Sequence, residues 1–215
     1  MKLYDYYRSS ASYRIRIALN FKGIECELEQ VSLINNGGEQ HNDSFKKMNS
    51  QELVPLLEDG DLQLNQSMAI LEYLEEKYPQ RPLLPADRQE RAAIRAFCQE
   101  IACEIHPLNN LRVLKYIKGP LAQNDVAKME WYFHWLKLGF TSLEKKMDTK
   151  GRFCFEDKPS WADLLLIPQI YNALRFSYPM QDHAALLNIY NNCLSLDYFI
   201  KASPEERLKE IDAVK

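Results

Sequence analysis

The chain reads as a small α/β domain followed by an all-helical one. Two observations predict this. Through residue 80 or so, stretches of alternating apolar spacing take turns with stretches of helical spacing. Beyond the proline-rich connector "RPLLPADR" (residues 81–88), alternation stops and helical periodicity continues to about residue 200. A length of 215 residues suits two small domains or one large one. The expected boundaries are 1–82 and 87–215.

Taken in order, "KLYDYY" is a short strand. Ala11, Ile15, Ala18 and Leu19 then recur at helical spacing, and Gly23 is a suitable stop. "ECELEQVSL" alternates as a strand does. "INNGGEQHND" is polar and rich in Gly and Asn, so a mobile loop is expected. "LVPLLEDGDLQL" gives two strands joined at Asp-Gly, a hairpin signal. Ile70, Tyr73 and Leu74 share one face of a further helix, which ends near "KYPQRP". The result is a small mixed sheet covered by helices. Residues 88–118 read as one long helix kinked at Pro107. Met129, Tyr132, Phe133, Leu136, Phe140, Leu143 and Met147 form the stripe of the next. A third begins at "PSWADLLLIPQ", where Ser160 and Asp163 form a capping box, a structural feature. Shorter helical pieces follow, and the polar tail "KASPEERLKEIDAVK" is expected to fray.

Composition narrows the function. Apolar residues make up 46% and charged residues 27%, and the net charge is -3 with both signs interspersed. Such a surface has no long-range attraction for nucleic acid or an anionic membrane, so an anionic ligand must be caught locally. No apolar run reaches the roughly 20 residues of a membrane span. "MKLYDYYR" lacks the apolar centre of a signal peptide, so a cytoplasmic location is expected. Five scattered cysteines (Cys26, Cys98, Cys103, Cys154, Cys193) lack a Cys-x-x-Cys pair, so reduced thiols are expected and a metal site is not.

Three stretches can carry chemistry. In "SQELVPLL", Pro55 cannot donate to a sheet ladder through its nitrogen. With a cis Val54–Pro55 bond, the Val54 backbone would be presented to a peptide-like ligand. On pattern alone, an ordinary edge-strand proline is the favoured reading. In "LNQSMAILEYL", Gln66 and Ser67 stand at a helix start, which favours an anion, although plain capping has the same signature. In "YYRSSASYRIRIAL", Ser9, Ser10 and Ser12 stand where strand passes to helix. His41, His106, His134 and His183 carry no triad signature, which disfavours a serine nucleophile. A hydroxyl at a helix N-terminus can instead donate to a thiolate and lower its pKa. Position 11 is alanine, so that thiol would arrive on a ligand.

"RSSASYRIRIAL", "ELVP", "NQSMAILEYLEE", "RPLLP", "HPLNNLRVLK" and "WADLLLIPQIYNALRF" together resemble zeta-class glutathione transferases, the maleylacetoacetate isomerase group. The resemblance runs from about residue 3 to residue 176 and implies a thioredoxin-like first domain, an all-α second domain and a homodimer. It implies a cytoplasmic enzyme of tyrosine and phenylalanine catabolism with glutathione as cofactor. The reaction is the cis–trans isomerisation of a small dicarboxylate, maleylacetoacetate, by reversible thiolate addition. Ser9, with Ser10 beside it, would stabilise the thiolate, and Val54 would pair with the cysteinyl backbone next to a cis Pro55. Gln66 and Ser67 would hold the γ-glutamyl end and Gln40 the glycyl end. His106, Asn110 and Leu111 fall where the second domain lines the site. Arg175 would pair with a substrate carboxylate, helped by Arg8 and Arg112. Three positions depart from the family pattern: Ala11 where cysteine is usual, His106 where glutamine is usual, and Arg112 where a small residue is usual. Ala11 leaves no protein thiol at the centre, and His106 and Arg112 add attraction for anions. Open alternatives are maleylpyruvate as substrate, general transferase or dehalogenase activity, and a non-catalytic binding module on the same fold. A thiol–disulfide oxidoreductase would need a cysteine among residues 9–12, and there is none.

Overall fold

The computed structural model describes residues 1–147 and 151–213. The elements in chain order are β1 (Lys2–Asp5), α1 (Ser10–Lys22), β2 (Glu27–Gln30), α2 (Asp43–Met48), β3 (Leu56–Asp59), β4 (Leu62–Asn65), α3 (Ser67–Lys77), α4 (Arg88–Gln99), α5 (Leu111–Lys118), α6 (Asp125–Glu144), α7 (Trp161–Arg175), α8 (Ala184–Cys193), α9 (Asp197–Lys201) and α10 (Pro204–Ala213). They form two compact units, Met1–Pro82 with the segment from Leu194 onward, and Leu83–Cys193.

The first unit holds one sheet of order β2-β1-β3-β4, with β2 parallel to β1 and β3 and β4 antiparallel to their neighbours. Period-two alternation sends Leu3 and its partner Leu57 into a fully buried layer. Tyr4 and Leu56 face the other side, where Phe45 of α2 joins Tyr6, Val31 and Val54. α1 and α3 pack together, tied by a buried Lys22–Glu75 pair at 2.8 Å. α1 stops at Gly23, whose φ of 69° is left-handed and whose N–H reaches the Asn20 carbonyl. The β3–β4 hairpin turns at Gly60, again with positive φ.

Two expectations change here. The loop 34–43 is built from two short 3-10 turns, Asn35–Gly37 and Glu39–His41, followed by α2, a helix too short for its periodicity to register. Glu39 ties the loop back: its N–H donates to the Ser32 carbonyl at 2.7 Å and its carboxylate accepts from the Ser32 N–H at 2.5 Å. The tail is the second change. Expected to fray within a second domain running 87–215, it packs on the first unit from Leu194 onward. Tyr13 donates to the Phe199 carbonyl and Arg16 to the Ala202 carbonyl. Asp5, fully buried, accepts from Arg16 at 2.6 Å and from Arg207 of α10 at 3.2 Å. Arg207 also donates to the Leu28 carbonyl of β2. A polar tail looks loose in sequence because the partners that anchor it lie 179 to 202 residues away.

The second unit is helical. Residues 88–118 do not form one kinked helix: α4 runs into a π-turn over Glu100–Ile105, then a 3-10 turn over Pro107–Asn109, and Asn110 caps a new helix, α5. Gly139 of α6 lets that segment approach, since a Cβ there would collide with Ile105. Tyr132, Leu136, Phe140 and Leu143 are the buried face of α6. α7 is buried along most of its length and starts at the expected capping box: Asp163 accepts from the Ser160 N–H at 2.8 Å and the Cys154 N–H at 2.9 Å. No helix among the described residues is long and apolar enough to cross a membrane.

Candidate functional site

The strand register decides which loops meet. Tyr4 stands opposite Leu56, and Leu56 opposite Asn65. The chain leaving β1, the chain entering β3 and the chain leaving β4 therefore emerge at one end of the sheet. β2, parallel to β1, delivers the loop to Gln40 at that same end. The first unit thus brings together Arg8, Ser9, Ser10, Gln40, Val54, Gln66 and Ser67.

Ser9 is the N-cap of α1, in extended conformation, and its Oγ accepts the Ser12 N–H at 3.2 Å. A hydroxyl has one donor and two acceptor positions, so capping leaves the O–H to donate elsewhere. Capping and thiolate donation are compatible in one side chain. Ser10 is buried at the first position of the helix, and Ala11 places a methyl beside it. Arg8 donates to the Tyr6 hydroxyl at 2.9 Å and stacks over the Tyr7 ring at 5.0 Å. Burial pushes the Tyr6 phenol up, and Arg8 opposes that shift.

The Val54–Pro55 bond is cis, so the ordinary edge-strand reading does not hold. The loop ahead of it is organised by Asn49, a residue the sequence reading missed. Its buried side chain donates to the Leu53 carbonyl at 2.7 Å and accepts from the Gln51 N–H and from Asn65, both at 3.1 Å. Gln51 in turn accepts from Gln66 at 2.7 Å. Gln66 has a positive φ of 68°, which directs the chain into α3. Ser67, buried, accepts from Arg14 of α1 at 3.0 Å. Arg14 was also missed; it lies outside the apolar spacing that marks α1, yet it is buried.

In the second unit, His106 lies in the break between the π-turn and α5, and Asn110 caps α5 by accepting the Arg112 N–H at 3.0 Å. Leu111 and Arg112 are exposed in its first turn. Arg112 lines a mostly apolar cleft of about 530 Å³ with Tyr116, Leu121 and Trp131. Arg175 ends α7, exposed, held by Asn172 at 3.0 Å and by the Phe176 ring at 4.3 Å.

The first unit has one thiol of its own, Cys26, which burial pushes up to about 11. At pH 8 only about one part in a thousand would be thiolate. Burial likewise raises Cys154 and Cys193. Brief alkylation of the native protein at pH 8 is therefore expected to label exposed Cys103 and to spare the other four cysteines; mass spectrometry of the peptides checks this.

A four-stranded mixed sheet with a cis-proline leading into β3 and a serine-capped first helix, followed by a helical unit, is the architecture of glutathione transferases. Comparison with known proteins agrees. The family described as "Glutathione S-transferase, N-terminal domain" matches residues 3–82. A probable maleylacetoacetate isomerase of Vibrio cholerae is 45% identical over 95% of this chain and 96% of its own length. The holo structure of a bacterial zeta-class maleylpyruvate isomerase superposes with a TM-score of 0.92 at 39% identity, covering 96% of this chain and 98% of that one. A maleylacetoacetate isomerase from Methylobacterium extorquens AM1, solved with bound malonate and GSH, gives 0.91 at 36% identity, covering 96% and 97%. The chain belongs to the zeta class of the glutathione S-transferase family.

Proposed function

We propose that the protein is a glutathione-dependent cis–trans isomerase of maleylacetoacetate, a cytoplasmic homodimer acting in tyrosine and phenylalanine catabolism. The observation that carries the reading is Ser9: a hydroxyl whose acceptor side caps α1 and whose proton is left for a thiolate, in a unit whose own thiol is suppressed.

The residues fit a γ-glutamyl tripeptide. The helix start at Gln66 and Ser67 suits its α-carboxylate, with Arg14 adding positive charge behind Ser67. The Val54 backbone suits the cysteinyl peptide group, and Gln40 the glycyl carboxylate. When bound, glutathione supplies an ionised thiol that adds reversibly to the conjugated alkene, so that the former double bond can rotate.

The chain's own residues make that chemistry possible near neutral pH. Lowering a thiol pKa by two units takes about 2.7 kcal/mol. One charge-assisted hydrogen bond, about 1.5–3 kcal/mol, plus the positive end of α1 is enough. Ser9 donates the bond and Ser10 borders it; with Ala11 beside them, no protein thiol competes. Arg175 holds a substrate carboxylate, pre-set by Asn172 and Phe176, and Arg8 and Arg112 add positive charge. The family resemblance assigns ligand-binding roles to His106, Asn110 and Leu111 of the second unit.

Turnover of maleylacetoacetate by the purified protein, with and without glutathione, tests the reading, and the absence of glutathione-dependent isomerisation would overturn it. Maleylpyruvate should be assayed in parallel, because a structural relative at 39% identity carries that name. Arg175→Ala is expected to raise KM for the dicarboxylate about tenfold while changing turnover of a neutral electrophile less than twofold. Equal losses on both substrates would make Arg175 structural.

A further inference from the structure

His41 has no part in the reading above, and its surroundings give it one. Gln40 is buried, and its side chain lies against Gly38, where a Cβ would come within 2.5 Å of the amide nitrogen. The amide Nε2 stands 2.9 Å from His41 Nε2, and His41 Nδ1 stands 2.5 Å from a carboxylate oxygen of Glu52. Gln40 Oε1 is buried and has no partner among the described residues. Glu52 takes a left-handed φ of 56°, anchored by its N–H on the Asn49 carbonyl, two residues ahead of Val54. Lys46 lies 3.9 Å from the same carboxylate oxygen, and the His41 bond holds the Glu52 carboxyl below its ordinary value.

The donor and acceptor roles follow from the carboxylate. Ionised Glu52 can only accept, so Nδ1 of a neutral His41 carries the ring proton. In that tautomer Nε2 is an acceptor, and among the described residues the Gln40 amide nitrogen stands opposite it as the donor. An amide nitrogen has two hydrogens, and one remains for another acceptor in a fixed plane. The ring is half exposed, so packing does not hold it; Glu52 does.

We propose that Glu52 and His41 form a positioning relay that fixes the Gln40 amide with one N–H turned to an anionic ligand end, and so sets affinity for the glycyl carboxylate of glutathione. The relay rests on the proposed function. It links two loops, the one leaving β2 and the one entering β3, so that the cis-proline loop and the glycyl subsite are set together. Neither residue would touch the ligand.

Glutathione and γ-glutamylcysteine, which lacks the glycyl residue, separate the possibilities. His41→Phe is expected to raise KM for glutathione about fivefold, with kcat within twofold of wild type and no change for γ-glutamylcysteine. Glu52→Ala should match it, and the double variant should be no worse than either. Glu52→Gln keeps an acceptor for Nδ1 and should stay within twofold of wild type. Unchanged KM in His41→Phe, equal losses on both thiols, or a Glu52→Gln as poor as Glu52→Ala would overturn the relay. A wild-type protein with affinity for neither thiol would overturn the functional reading and the relay with it.

Discussion

Ser9→Ala is expected to lower glutathione-dependent isomerisation by about 10- to 100-fold, the worth of one charge-assisted hydrogen bond, while glutathione affinity changes little. The apparent pKa of the bound thiol, followed by the ultraviolet absorbance of thiolate against pH, should rise by one to two units, about 1.4–2.7 kcal/mol. Since Ser9 also caps α1, the variant is expected to lose about 1 kcal/mol of stability. Two controls separate the roles. Ser9→Thr keeps both the acceptor and the donor and should preserve most of the activity. Ser9→Asp keeps the capping acceptor but has no proton to donate when ionised, so it should fold as well as wild type and be inactive. An alanine variant with wild-type turnover and an unshifted thiol titration would remove Ser9 from the centre of the mechanism.

Asp5→Ala is expected to be the most damaging change to the fold. The carboxylate is fully buried between Arg16 and Arg207, and its loss leaves two buried guanidinium groups with a shared partner missing. Breaking a buried pair from one side costs about 3–5 kcal/mol. For a chain of this size, that is a fall in melting temperature of about 10 °C. The damage should concentrate at the C-terminal segment: α9 and α10 should lose hydrogen-exchange protection before the sheet does. Asp5→Asn, which keeps the shape and one acceptor, should fall between the two. A shift of less than 2 °C in Asp5→Ala would show that the Arg16 and Arg207 bonds to backbone carbonyls suffice without the carboxylate.

Much of the candidate site was legible because its signals are local. A serine run between strand and helix, a Val-Pro ahead of a strand and a Gln-Ser at a helix start each occupy two to four consecutive residues. What could not be read is how these stretches are supported. Asn49 looks like any loop asparagine, yet it ties together Gln51, Leu53 and Asn65. Arg14 lies outside the apolar spacing of α1, yet it is buried and holds Ser67. His41 lacks a triad signature, and Glu52 merely begins "ELVP". Neither pattern carries the 2.5 Å contact between them.

The sequence by itself determined the order of the four strands and of helices α1, α3, α6 and α7, several of their caps and stops, and which residue types stand at the sheet end. Those features depend on periodicity and on hydrogen bonds spanning a few residues, such as the Ser160–Asp163 box and the Gly23 stop. Only the tertiary structure decided the break at residues 106–110, the cis state of Val54–Pro55, and the docking of α9 and α10 on the first unit. The docking is set by partners far away in the chain, as Arg207 is by Asp5. Proximity of that kind exists only once the sheet has brought the two ends together.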